Sequence, residues 1–193
     1  MKYYGTKNNK DYGFYLENFD NAIEISDEYW EELLQKQGEG KTIIPFENEV
    51  IAVNIEEYIF QDGIWKKLSD KEVAEKLLQK AKDNKIYDND TARDEALLQG
   101  VIYQDILFDS DTDQKINLLA TIGMMNDTDI VTWFGMDNIP LECTKVDLIN
   151  IGGLITQLHT FCWTKNAQIK MLIKNASTIE EVEAINIDYG KEE

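Results

Sequence analysis

Asp109-Ser110-Asp111-Thr112-Asp113 sets carboxylates at alternate positions, a pattern that can converge on a hard cation such as calcium. A complete calcium loop also needs a glycine at its sixth position and a bidentate glutamate at its twelfth, where this chain has Gln114 and Ala120. Capping of a following helix accounts better for the same acids and hydroxyls. His159 and Cys162 stand one helical turn apart and would supply half of a zinc site, with Cys143 the remaining soft donor. Their place beside an apolar stripe favours packing instead. Acid–base and nucleophilic catalysis have little to draw on, since His159 is the sole histidine and no G-x-S-x-G elbow or Cys/His signature surrounds it. Gly38-Glu39-Gly40-Lys41-Thr42 is too short for a phosphate loop. The residues therefore predict no catalytic group, no metal and no cofactor, and a protein that is not an enzyme.

Charge narrows the choice of partner. The 37 acids against 19 bases give a formal net charge of −18, which repels phosphate and argues against nucleic acid and anionic membrane. Residues 1–90 hold 20 acids and 12 bases and the rest 17 and 7, so the excess is dispersed and serves solubility. An acidic mimic of DNA is the remote alternative, since a mimic needs carboxylates in rows at phosphate-like spacing. Two cysteines are too few for a disulfide framework. The start lacks an apolar signal core, and no run approaches the ~20 apolar residues of a membrane span. The expectation is a soluble protein of the cytoplasm in which it is made.

The elements that must position these residues read as α+β. Aromatic and isoleucine-rich residues 1–25 predict a hairpin turning at Lys7-Asn8-Asn9-Lys10. Ser26 caps a helix with Tyr29, Trp30, Leu33 and Leu34 on its apolar side. Short strands follow at 42–46, 50–53 and 58–60, the last joined to Ile64-Trp65 through the turn former Asp62-Gly63. Ser69-Asp70-Lys71-Glu72 is a capping box opening a helix through Ala81, and polar residues 83–90 predict a linker or helix break with a boundary near 86. Beyond it come a helix to Leu98, strands 101–103 and 106–108, a helix burying Ile116, Leu119, Ala120 and Gly123, and a strand pair about Asp137-Asn138. Thr144 caps a long helix whose stripe is Leu148, Ile151, Ile155, Leu158, Cys162, Ile169 and Leu172, and Ser177 to Glu180 is a second capping box. This gives an N-terminal domain at 1–67 (a small sheet with one helix), a connecting helix and linker at 68–90, and a mainly helical domain with short hairpins at 91–190.

Without chemistry, the aromatics are the useful signal, since Trp and Tyr are enriched among the anchors of protein interfaces. The N-terminal group Tyr3, Tyr4, Tyr12, Phe14, Trp30 and Trp65 is expected to contact a partner.

The stretch from Ile23-Glu24-Ile25-Ser26 through Tyr29-Trp30, Leu33-Leu34 and Gln37-Gly38-Glu39-Gly40-Lys41 resembles the N-terminal signature of phage tail-fibre assembly proteins. That family shares an I-x-I-S/T opening, an acidic first turn, an aromatic, a Leu-Leu pair and a Q-x-x-G-K exit. Residues 92–188 resemble a domain of unknown function found in phage tail and tail-fibre proteins, on Arg93, Gly100-Val101-Ile102-Tyr103, Phe108-Asp109-Ser110-Asp111, Trp133, Asp137-Asn138, Leu141, Thr144 and His159. The first resemblance implies a chaperone that binds the C-terminal region of a trimeric tail fibre in the host bacterial cytoplasm and in some systems stays on the mature tip. The second implies an alternative, a structural component of the fibre or baseplate retained in the virion.

Overall fold

A computed structural model describes residues 1–7 and 11–190 and has an α+β architecture in two compact units, Met1–Gln79 and Lys80–Glu193. The turn expected at Lys7 to Lys10 lies largely outside the described residues.

In the first unit, β1 (Lys2–Gly5) is the central strand of an antiparallel sheet between β2 (Gly13–Tyr15) and β3 (Ile23–Ile25). Ser26 then caps α1 (Asp27–Gly38), its hydroxyl accepting from the Tyr29 N–H at 3.1 Å. Leu33 is buried on α1, while Leu34 lies at the surface. Strands β4 (Thr42–Phe46) and β5 (Glu49–Val53) form a hairpin through Glu47-Asn48, and β6 (Tyr58–Gln61) and β7 (Ile64–Lys67) form another through Asp62-Gly63. Both turns have two consecutive positive φ angles, 50° and 67° at Glu47-Asn48 and 55° and 84° at Asp62-Gly63, as type I′ turns require. Successive side chains of a strand point to opposite faces. Ile43, Val50 and Ala52 accordingly join a cluster with Tyr4, Ile25 and Leu33, while Ile44, Ile51 and Val53 join another with Tyr58. The β4–β5 hairpin is apolar on both faces because it separates two small cores.

Helix α2 (Asp70–Leu97) opens with the expected box, Glu72 accepting from the Ser69 N–H at 2.8 Å. It continues without interruption through residues 83–90, so the predicted linker is helix, and the division between the units falls inside it at Gln79. The polarity that suggested a linker has another cause. Asn89 is fully buried and Asp90 is part of a tertiary hydrogen-bond network.

The second unit continues with the hairpin β8 (Val101–Tyr103) and β9 (Ile106–Phe108), helix α3 (Thr112–Met124), and the hairpin β10 (Ile130–Phe134) and β11 (Pro140–Thr144). The last helices are α4 (Lys145–Asn175) and α5 (Ile179–Glu183). On α3 the buried residue is Leu118, whereas Ile116 and Leu119 face solvent, the reverse of the expected face. Thr144 and Asp147 form a capping box for α4. Its buried stripe runs Leu148, Ile151, Ile155, Leu158, Cys162, Asn166, Ile169 and Ile173, so Leu172 gives way to Ile173 and a polar residue occupies one core position. Thr178, not Ser177, caps α5; the Ser177 N–H donates to Glu181 at 2.6 Å, moving the predicted box along by one residue. Among the described residues no helix is long and apolar enough to cross a membrane.

Candidate functional site

Ser110, Asp111, His159 and the two cysteines are occupied in holding the fold. Asp111 accepts from the Gln114 N–H at 2.7 Å and caps α3. Ser110 is buried and donates to the Leu97 carbonyl. The carbonyl of Ser110 can only accept, so His159 Nε2, 2.7 Å away, carries the proton. Cys143 and Cys162 are fully buried and not joined in a disulfide. Burial pushes the Cys143 thiol up to about 11, with Asp147 and Glu142 adding to the effect. Among the described residues no three His, Cys, Asp or Glu side chains gather as metal ligands would.

A polar seam that the sequence pattern did not reveal joins α2 to α4 within the second unit. Asn89 Nδ2 donates to the Asn166 carbonyl at 3.2 Å, and Asn166 Nδ2 donates to Asp90 at 2.9 Å. Tyr189 Oη donates to Asn89 Oδ1 at 2.7 Å. Asp90 also receives Lys170 at 2.6 Å and Arg93 at 2.8 Å, and the Arg93 guanidinium lies 4.3 Å from the centre of the Trp163 ring. Burial works against the Asp90 charge, but hydrogen bonds from Lys170 and Asn166 and the neighbouring cations outweigh it and hold its carboxyl below the ordinary value. The bonds interlock α2, α4 and Tyr189, which makes this a structural clamp. Asn89 and Asn166 carry no periodic signal beyond a polar residue interrupting an apolar stripe.

The aromatics of the first unit make a different arrangement. Five of the predicted contact residues, with Phe60, form one continuous chain of rings: Trp30 to Phe14 at 6.4 Å, Phe14 to Tyr4 at 5.0 Å, Tyr4 to Tyr12 at 6.0 Å, Tyr12 to Phe60 at 6.4 Å and Phe60 to Trp65 at 5.2 Å. Tyr4 is core, 3% exposed, with Oη donating to the Ile43 carbonyl at 2.6 Å. Burial, reinforced by Tyr12, raises its pKa to about 12. Trp30 and Phe14 are half-buried beside it. Tyr3 is absent from the chain of rings, because strand alternation turns it to the other face, where Tyr15 is its cross-strand partner.

The opposite end of the chain reaches an open groove of about 1140 Å³ lined by Tyr12 and residues 21–23, 45–48 and 63–67. Among the described residues β3 pairs with β1 alone and β7 with β6 alone, so each is an edge strand. Trp65 Nε1 is shielded from solvent and has no acceptor, while Ile64 and Phe60 are 57% and 45% exposed. Lys66 and Lys67 make the rim basic against the single acid Glu47. Phe60 and Ile64 are exposed apolar residues outside the predicted contact group. Their signal was a hairpin apolar at alternate positions on both faces, with Phe60 and Trp65 on one and Ile59 and Ile64 on the other. A two-stranded ribbon with nothing on its second face leaves such residues exposed.

Comparison with known proteins places the second unit. The family described as Domain of unknown function (DUF4376) matches residues 80–189, more than half of the chain, and the chain belongs to that family. The matched segment begins where the second compact unit begins. Neither the curated proteins nor the solved structures contain a match.

Proposed function

We propose that the protein acts by holding another protein, with an extended apolar segment of that partner laid in the groove of the N-terminal unit. The observation that carries this reading is the juxtaposition of exposed Ile64, the unpartnered Trp65 N–H and residues of the edge strands β3 and β7 around one opening. An added strand gains main-chain hydrogen bonds at such edges, and its alternate side chains enter the apolar walls. The resemblance of residues 23–41 to tail-fibre assembly proteins supplies the partner, the C-terminal region of a trimeric phage tail fibre. The protein then serves as an assembly chaperone or as an accessory bound at the fibre tip, working in the host cytoplasm and turning over no substrate.

A second reading, a structural component of the tail fibre or baseplate, draws support from the resemblance of residues 92–188 to a domain of phage tail proteins. The two readings share the binding step and differ in whether the protein leaves.

Co-expression with a fibre C-terminal fragment tests the proposal. Wild-type protein should co-purify with soluble trimeric fragment, and Ile64→Asp should weaken the complex by about tenfold or more, the effect of losing an interface anchor. Capture unchanged by Ile64→Asp, or a fibre fragment that becomes soluble and trimeric without the protein, would refute it. Presence in purified particles at fixed stoichiometry would select the second reading.

A further inference from the structure

Resting on the reading that the groove of the N-terminal unit holds an extended segment, we infer that the apolar residues of that segment adjoin a pair of carboxylates, for which Lys66 and Lys67 are the counter-charge. The lining includes both lysines and one acid, Glu47, in a chain with a net charge of −18. Carboxylates are repelled over most of such a surface, so an opening richer in base than in acid is where they are met most favourably.

The lysines of this unit are unevenly engaged. Lys2 and Lys7 lie over aromatic rings, Lys36 and Lys71 pair with glutamates one turn away on their own helices, and Lys41 and Lys76 donate to Asn54 and to main-chain carbonyls. Lys66 reaches the Gln61 amide oxygen at 3.4 Å, a long bond to an uncharged acceptor. Among the described residues the Lys67 ammonium has no hydrogen-bond, ion-pair or ring partner. Both side chains are exposed. The two least committed lysines thus stand side by side on the lining of this groove.

Strand alternation turns the lysine pair into a sequence pattern. Ile64 and Lys66 lie on one face of β7, and Trp65 and Lys67 on the other, where Phe60 and Tyr58 are their cross-strand partners. Each face therefore presents an apolar residue and then, two positions on, a lysine. A strand added along β7 sets its own side chains opposite those of the same face, where opposite charges attract and like charges destabilise. Its complement is two consecutive apolar residues followed, in a parallel strand, or preceded, in an antiparallel one, by two consecutive acids. At about 3.3 Å per residue the four positions span about 10 Å, so the apolar and the charged contacts belong to one short segment.

The test uses the full chain and a short peptide in which a pair of valines is flanked on both sides by a pair of aspartates, so that either strand direction is served, against the same peptide with lysine for aspartate. The aspartate peptide should bind at least about tenfold tighter, an order opposite to the one set by the net charge of −18, which draws the lysine peptide. Lys66→Glu combined with Lys67→Glu should reverse that order with unchanged circular dichroism, chiefly through the association rate, as rim charges do. Lys66→Gln combined with Lys67→Gln should abolish the preference for aspartate, and Ile64→Ala should weaken both peptides alike. A lysine peptide that binds as tightly or more tightly, an order that charge reversal leaves unchanged, or binding of neither peptide overturns the inference. Capture of the fibre fragment alongside any of those results leaves the groove reading standing without it, and failure of capture as well removes both.

Discussion

Replacing Asn166 with alanine removes two hydrogen bonds from the buried face of α4, Nδ2 to Asp90 at 2.9 Å and Nδ2 to the Asn89 carbonyl at 3.4 Å. A bond to a charged acceptor contributes about 1.5 to 3 kcal/mol and a neutral one about 0.5 to 1.5, the longer contact belonging at the low end. Neither acceptor is orphaned, because Asp90 keeps Lys170 and Arg93 and the Asn89 carbonyl keeps Tyr189 at 3.4 Å. The expected loss is therefore about 2 to 4 kcal/mol at neutral pH. The pH dependence has a definite sign. Asp90 has a lowered carboxyl pKa in the folded chain, so its stabilisation is complete above the unfolded value of about 3.9 and is lost as the pH falls through the lower folded value. Alanine at 166 weakens that depression, and wild type and variant should converge in acid. Urea denaturation followed by far-ultraviolet circular dichroism, at neutral pH and near the acid limit, measures both effects. A loss under about 0.5 kcal/mol, the range of ordinary surface changes, or one that does not shrink in acid, would refute the clamp.

Tyr4→Phe keeps the ring contacts and removes the buried 2.6 Å hydrogen bond to the Ile43 carbonyl, so the first unit should lose about 1 to 2 kcal/mol, read from its urea midpoint. Cys143 and Cys162 are both fully buried, and the Cys143 thiol is pushed up to about 11, leaving on the order of one thiolate per thousand at pH 8. Ellman's reagent should find almost no thiol in the native protein within minutes and both after denaturation; rapid native reaction would show that the burial is wrong.

Much of the fold was legible in the sequence because its signals are local. Ser26, Ser69 and Thr144 act as caps, and Asp62-Gly63 turns with positive φ where the pattern predicts a turn. The failures arose where tertiary contacts decide. Residues 83–90 look like a linker only if polar means solvated; Asn89 is instead buried against Asn166, and only the packed pair shows why. On α3 both Ile116 and Leu118 are apolar, and α4 selects Leu118. The candidate site was legible in its aromatic membership, but not in which members remain accessible. Tyr4 belongs to the core, Phe60 is exposed and Ile64 reaches the opening, a distinction set by how many strands cover each face.

Dispersed acidity carries little information by itself, and its local absence carries more. If the net charge of −18 served solubility alone, nothing would favour an uncharged strip along α4 or a groove whose rim has two lysines to one glutamate. An exposed helix face gains stability from i,i+4 ion pairs, as Glu32 and Lys36 supply on α1. The outer face of α4 forgoes that stabilisation and keeps Ile149, Trp163 and Met171 in solvent. Protein interfaces have the same signature, with charge depleted at the centre and aromatic and methionine side chains enriched.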